Sequence, residues 1–257
     1  MKRLCRDIAD AVGDAIKDLT NIADGGVILY EGANGTPTAR IDDIAEKAAL
    51  CVLKEDGRSI RLVSEEVGSI VLGERPEFTI ILDPVDGTYN AIHGIPFYSI
   101  SIAVGGSDLS QVYYGYVKDL VTGDEYSAER AKGAFMNGKE LRVADKTNLD
   151  EYCVSVNGCT PLMDFMNKNN KRIRLMGSAS LELCYVASNR LDGFVDVRRR
   201  LRITDVAAGK LIIEEAGGIV TDDNGAILNS PLDVKRRVNI VAANEGIHKE
   251  LITRLQG

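Results

Sequence analysis

Asp83 and Asp86 flank Pro84-Val85, at the end of the apolar run Ile80-Ile81-Leu82 and just before Gly87-Thr88. Such a run reads as a buried strand, and Asp-Pro as the start of a turn. Gly87 lets the backbone pass close to a ligand. Thr88 is suited to cap a following helix, which would leave free N–H groups beside the two carboxylates. Carboxylate oxygens next to such donors could hold a hard cation and a phosphate together. An Asp-rich turn ending in a helix cap would use the same residues.

Three further acidic points recur along the chain. Asp42 and Asp43 open a helical stretch, where acids also serve the helix dipole. Glu65-Glu66 follow the apolar run 60–63, a position equally suited to a solvated turn. Asp205 sits in the first turn of the periodic stretch 203–215 and could be an ordinary N-terminal helix acid. If several of these carboxylates converged, their repulsion would demand cations. Oxygen donors select Mg2+ over a soft metal, and the two histidines, His93 and His248, stand apart in sequence.

The elements that must position these acids follow from periodicity. Apolar residues at helical spacing predict an amphipathic helix over 2–19 and a second over 41–53. The glycine-rich stretch 23–38 between them is a mobile loop, a loose hairpin or a plain connector. Short apolar runs over 60–63, 80–83, 97–104 and 112–117, with turns at Gly123, Gly133 and Asn137-Gly138, predict an antiparallel meander over 97–143. From about residue 150, strands and helices alternate: strands at 152–156, 172–176, 191–197, 219–220 and 238–242, and helices at 161–167, 180–188, 203–215 and 247–255. The change of rhythm suggests two lobes, 1–145 with the Asp83–Thr88 motif and 146–257 contributing Asp205.

The 257 residues are 45% hydrophobic and 27% charged, an ordinary globular balance. A formal charge of -7 argues against a nucleic-acid partner, which would need a basic face. No apolar run is long enough to cross a bilayer, and the charged, periodic first twenty residues are unlike a signal peptide. Five scattered cysteines lack metal-finger spacing and suit free thiols in a reducing cytoplasm.

Taken together, Asp83-Pro84-Val85-Asp86-Gly87-Thr88, the upstream Glu65-Glu66, Gly133 to Gly138, Asp205-Val206-Ala207-Ala208-Gly209 and Glu214 to Gly218 resemble the inositol monophosphatase family in the same order over about 40–220. Within it, the chain is most similar to the archaeal dual enzymes acting on fructose 1,6-bisphosphate and inositol 1-phosphate. The resemblance implies an α+β fold, a layered αβαβα sandwich of the sugar-phosphatase type, with a mixed sheet in the second lobe. It also implies dependence on two or three Mg2+ ions, with Mn2+ as a possible substitute, inhibition by Li+, a small sugar or inositol phosphate as substrate, and a homodimer.

The same resemblance implies roles. Glu65, Asp83 and the carbonyl of Val85 match one metal site, and Asp83, Asp86 and Asp205 a second. Glu65 would also help hold a third ion through water. Thr88 with Asp42 matches the pair that orients and deprotonates the attacking water. Backbone N–H groups of Gly87 and Thr88 match the phosphate cradle, and Ser178 and Ala179 lie where the family contacts the sugar or inositol. The chain departs from many members in having Thr204 where they have Trp. It also has Arg198 seven residues before Asp205, where the animal inositol enzymes place a polyol-binding acid. Arg198, with Arg172 and Arg174 as further candidates, suits a second phosphate. A solvated basic turn or dimer surface would equally explain Arg198-Arg199-Arg200.

Three other readings compete. Aspartyl-phosphate hydrolases use a shorter Asp-x-Asp-Gly-Thr motif near the chain start, with the first Asp as nucleophile. Adenosine 3',5'-bisphosphate or NADP phosphatases of the same family would need a base-binding pocket. A non-catalytic metal-binding regulatory protein would be expected to lack a ligand, whereas every required carboxylate is present.

Overall fold

The structure, a computed structural model, describes residues 1–145, 152–169 and 171–256. The expected lobe boundary adjoins residues 146–151, which lie outside the described residues.

Helix α1 (Lys2–Ile16) buries Leu4, Ile8, Val12 and Ile16 as its spacing predicts, and ends three residues short of the expected 19. Before α2 (Arg40–Asp56), the glycine-rich stretch folds as the loose hairpin of strands β1 (Ile28–Glu31) and β2 (Pro37–Ala39). There follow β3 (Ile60–Ser64), β4 (Gly68–Leu72), β5 (Phe78–Asp86), the short α3 (Thr88–Ile92), β6 (Ser99–Gly105), β7 (Tyr114–Asp119), β8 (Glu125–Glu129), β9 (Ala134–Met136) and β10 (Lys139–Glu140). Strands β3 to β10 form an eight-stranded sheet in the order β10-β9-β8-β7-β6-β5-β3-β4. From β6 through β10 it is the expected antiparallel meander, which β5 extends by pairing antiparallel with β6, while β3 runs parallel to β5.

The remainder comprises β11 (Cys153–Asn157), α4 (Thr160–Lys168), β12 (Arg172–Arg174), α5 (Ala179–Ala187), β13 (Gly193–Arg202), α6 (Ile203–Glu215), β14 (Ile219–Thr221), β15 (Arg237–Ala243) and α7 (Glu245–Gln256). Its five-stranded sheet has the order β12-β11-β13-β15-β14, parallel across the first three strands and antiparallel beyond.

Alternation along the strands builds the layers. Leu62, Ile80, Leu82, Ile100 and Ile102 face α1 and α2, whereas Val63, Ile81 and Ala103 face α5 and α6. Phe194, Ile240 and Ala242 of the second sheet close on α5 and α6 from the other side, and Val154, Val195 and Val241 pack against α4 and α7. The result is the αβαβα sandwich. Helix α6, enclosed between the sheets, buries every residue from Ile203 to Ile213. The approach is close: a Cβ on Gly209 would stand 2.7 Å from Leu183 Cβ.

Two strands exceed their sequence limits. The apolar run of β5 does not stop at Asp83 but continues to Asp86, with a register break against β6 between the pairs Asp83–Ser101 and Asp86–Ser99. Strand β13 does not end at Val197 but reaches Arg202, with a larger break between Asp196–Ile240 and Leu201–Val238. Bulges of this kind bend a strand and re-aim its side chains. Both fall where the acids and the arginines must be presented.

Candidate active site

The β5 bulge and the N-termini of three helices meet at one corner. Asp42 and Asp205 occupy the third positions of α2 and α6. Asp42 Oδ2 accepts the amide of Ala39 at 3.2 Å, and Asp205 Oδ2 that of Arg202 at 2.8 Å. Each acid thus reaches back to its helix cap, which fixes its rotamer. This geometry satisfies the helix-acid explanation for both residues.

Glu65 follows β3 in a tight turn, braced by a residue that sequence reasoning passed over. Glu46 Oε2, from α2, accepts the amides of both Glu66 and Val67 at 3.1 Å. Glu66 turns away from the corner and accepts a hydrogen bond from Thr38. Burial is the main force raising its carboxyl, to about 7, which fits a structural partner of the hairpin.

Oxygens of Glu65, Asp83 and Asp205 lie within 4.8 Å of one another. Asp83 is 1% exposed, and its Oδ2 has no hydrogen-bond partner among the described residues. Burial raises the Asp83 carboxyl well above its ordinary value, and the neighbouring Asp86, Asp205 and Asp42 add to the rise. Burial, then Asp205, also raise Asp86, against the hydrogen bonds from Ser178 and Ser180. A buried, unpartnered oxygen amid like charges is costly without a counter-ion. The all-oxygen donor set fits a hard divalent cation.

Thr88 Oγ1 lies 2.8 Å from Asp42 Oδ1 and 3.0 Å from the carbonyl of Val85. It does not cap α3 as expected. The cap is Gly87, at φ 98°, and Thr88 is the first helical residue. A Cβ on Gly87 would also stand 3.1 Å from the carbonyl of Phe97, so both conformation and space require glycine there. Burial raises Asp42 to about 6, opposed by its bonds to Thr88 and Ala39.

A cleft of about 660 Å³ opens from this corner, lined by Asp86, Gly87, Thr88, Ala179, Arg198 and Asp205 among others. Ser178 is not among the lining residues. It is fully buried, and its hydroxyl donates to Asp86 Oδ2 at 2.7 Å, beside the Ser180 amide at 2.6 Å. Its place at the start of α5 makes it a positioning residue for Asp86. Arg172 also lies outside the lining, exposed on the edge strand β12, and Arg174 is exposed there too. Arg198 does line the cleft, but the fully buried Asp196 holds it, at 2.5 Å to Nη2 and 3.1 Å to Nε.

Arg202 escaped the sequence reading. Its guanidinium contacts Glu65 and lies 3.1 Å from Asp205, among the clustered acids. A cation three residues before an acid at a helix start was the available signal. Asn90 was missed as well. Its Nδ2 donates to the carbonyls of Phe97 and Met176 at 2.7 Å, tying α3 to the strand-to-helix connection that presents Ala179.

With this geometry in hand, known proteins supply a comparison. The chain is 40% identical to the fructose-1,6-bisphosphatase/inositol-1-monophosphatase of Methanothermobacter thermautotrophicus, covering 97% of this chain and 94% of that protein. It is 38% identical to a bifunctional NADP phosphatase/NAD kinase of Methanococcus maripaludis, covering 98% of this chain but 48% of that longer protein. A solved inositol monophosphatase–fructose 1,6-bisphosphatase superposes with a TM-score of 0.90 at 32% identity, covering 99% of this chain and 98% of the other. The model of the inositol monophosphatase family matches residues 2–257. The acidic corner, the sandwich that builds it and this full-length match place the chain in the inositol monophosphatase family, a family of metal-dependent phosphoric monoester hydrolases.

Proposed function

We propose that the protein releases phosphate from fructose 1,6-bisphosphate, inositol 1-phosphate or both, by direct attack of water. The observation that carries this reading is the convergence of Glu65, Asp83 and Asp205, with Thr88 bonded to Asp42, where Asp205 and Thr88 line the cleft. Glu65, Asp83, Asp205, Asp86 and the Val85 carbonyl are the donors for two or three Mg2+ ions. When bound, such ions neutralise carboxylate and phosphoryl charge and lower the pKa of nearby water.

The protein's own groups do the rest. Thr88 Oγ1 donates to Asp42 and so turns a lone pair toward the attacking water. As the O–P bond forms, the water proton passes to Thr88 and the Thr88 proton to Asp42. The sugar C–O oxygen leaves with the ester bond's electron pair and is protonated from solvent. The Gly87 and Thr88 amides, at the start of α3, face the phosphoryl oxygens. Ala179 and Arg198 border the leaving group.

The test is phosphate release from both esters with Mg2+, with and without chelator. Chelator-sensitive release is the expected result, and none from either ester at saturating Mg2+ would overturn the proposal. It would also leave the non-catalytic alternative standing. Trapping of a covalent phosphoenzyme would instead favour an aspartyl nucleophile.

A second reading, NADP phosphatase, is favoured by the likeness to the Methanococcus maripaludis protein. We further infer a cytoplasmic homodimer. Five free cysteines support the reducing compartment, and the family resemblance is the ground for the dimer, which light scattering checks. Among the described residues, no helix is long and apolar enough to cross a membrane.

A further inference from the structure

A second cleft, of about 550 Å³, opens from the same corner, and Arg198 is not among its lining residues. It shares Thr88, Tyr89, Arg200 and Arg202 with the first cleft and adds Arg199 and Arg237. The two clefts differ in charge. Arg198, in the first, is matched by the buried carboxylate of Asp196. Among the described residues, the side chains of Arg199 and Arg200 pair with no acid. Among the described residues, the Arg237 guanidinium donates only to the carbonyls of Asn34, Val234 and Arg236. Asp42 and Glu65 also line the recess, on its shared corner, where Thr88 and Arg202 contact them. The Arg199, Arg200 and Arg237 guanidiniums line it without an acid partner among the described residues, on a chain whose net charge is -7. Such a group attracts a polyanion, and guanidinium matches phosphate oxygens in paired hydrogen bonds.

The backbone is built to present these charges. Arg199 lies in the β13 bulge at φ 53°, a left-handed conformation that costs a residue with a Cβ about 1 kcal/mol or more. The Asn239 side chain braces it: Oδ1 accepts the Arg199 amide at 2.7 Å, and Nδ2 donates to Asp223 at 2.8 Å. A merely solvated basic turn needs neither the strain nor the brace.

The recess also has an apolar and aromatic part. Ile28 and Ile92 line it, and Tyr89 is 67% exposed with its ring stacked on His93 at 4.0 Å between centroids. An exposed aromatic surface in one recess with arginines suits a planar base next to phosphate.

We propose that this second cleft binds the pyrophosphate and a nucleoside base of a dinucleotide whose ribose phosphomonoester lies at Thr88. The assignment rests on the phosphatase reading of the corner and extends it to a substrate class. It supplies the base-binding recess that an NADP-type ester requires.

The test uses the protein with Mg2+, two esters and the variants Arg199→Gln and Arg199→Lys. Gln keeps a polar side chain but is shorter and uncharged, and Lys restores the charge at nearly the Arg length. NADP is the extended ester and p-nitrophenyl phosphate the small one. Relative to p-nitrophenyl phosphate, Arg199→Gln raises KM for NADP about tenfold, the size of one charged contact, and Arg199→Lys recovers part of it. NAD, which lacks the scissile phosphate, competes against p-nitrophenyl phosphate, and its inhibition constant rises in Arg199→Gln. Equal effects on both esters, or none, overturn the proposal. So does inorganic pyrophosphate competing as well as NAD, because the recess would then read the anion alone. If the wild type releases phosphate from neither ester, the phosphatase reading fails by itself. Calorimetric binding of NAD, and its loss in Arg199→Gln, then still decides the cleft.

Discussion

Thr88 Oγ1 lies 2.8 Å from Asp42 Oδ1, although the two residues are 46 positions apart and start different helices. The same oxygen lies 3.0 Å from the Val85 carbonyl. A hydroxyl has one proton to donate, so it must choose between these acceptors. When it donates to Asp42, a lone pair is free for a water molecule. Thr88→Ala removes this relay and lowers kcat by about 10²–10⁴-fold, the usual range for a proton-transfer group. Thr88→Ser keeps the hydroxyl and retains most of the rate. Phosphate-release kinetics on the two variants, with melting curves to verify folding, check this.

Asp83 carries the cost of the corner in stability. Its folded carboxyl is raised, so the ionised form is disfavoured by folding, and that penalty is present at pH values above the ordinary 3.8. Asp83→Asn keeps the shape and removes the charge. Measured at pH 7 in chelator, the variant melts higher than wild type, by about 2–4 °C for each kcal/mol of relieved repulsion. Added Mg2+ raises the wild-type melting temperature and leaves the variant's unmoved, and phosphatase activity is lost. A variant that still turns over like wild type at saturating Mg2+ would remove Asp83 from the metal site.

Arg198 has two jobs that one substitution separates only with care. It neutralises Asp196, which is fully buried, and it faces the first cleft. Arg198→Ala leaves that carboxylate, among the described residues, with the backbone amide of position 198 as its remaining partner at 3.1 Å. The expected loss is at most about 2 kcal/mol, since the site is partly open to water. On substrates, KM for fructose 1,6-bisphosphate rises about tenfold more than for inositol 1-phosphate. Equal changes for both esters would confine Arg198 to its role with Asp196.

His248, on α7, is buried 2.8 Å from Thr221 Oγ1, and burial lowers its folded pKa below the ordinary 6.5. The unfolded chain therefore takes up the proton first as the medium is acidified. The neutral histidine's contribution is complete above about pH 6.5 and is lost as pH falls toward the folded pKa. The wild type loses more stability than His248→Gln between pH 7.5 and 5.5, by up to about 1.4 kcal/mol for each unit of separation. Denaturant melts at the two pH values measure the difference, and parallel losses would exclude the histidine.

Much of the framework was legible in the residues. The amphipathic stripe of α1, the periodic run of α6 and the meander with its Asn137-Gly138 turn report local preferences that each stretch satisfies alone. Asp205 was identifiable as a helix-start acid, and Asp83 and Asp86 as a turn able to hold a cation. Ser178 and Arg172 were misplaced because a sequence position near a site does not tell which way a side chain faces. Packing of α5 turns Ser178 inward onto Asp86, and β12 leaves Arg172 on an exposed edge.

By itself, then, the sequence determined which carboxylates were available, the elements that carry most of them, and the family pattern they compose. Tertiary structure alone decided that Glu65, Asp83 and Asp205 crowd within 4.8 Å, that Arg202 reaches in among them, and that the β13 bulge points Arg199 into a second recess. The physical reason is range. Helix and turn preferences act over a few neighbouring residues, whereas the meeting of β5 with α6 and β13 is set by the close packing of a fully buried helix between two sheets.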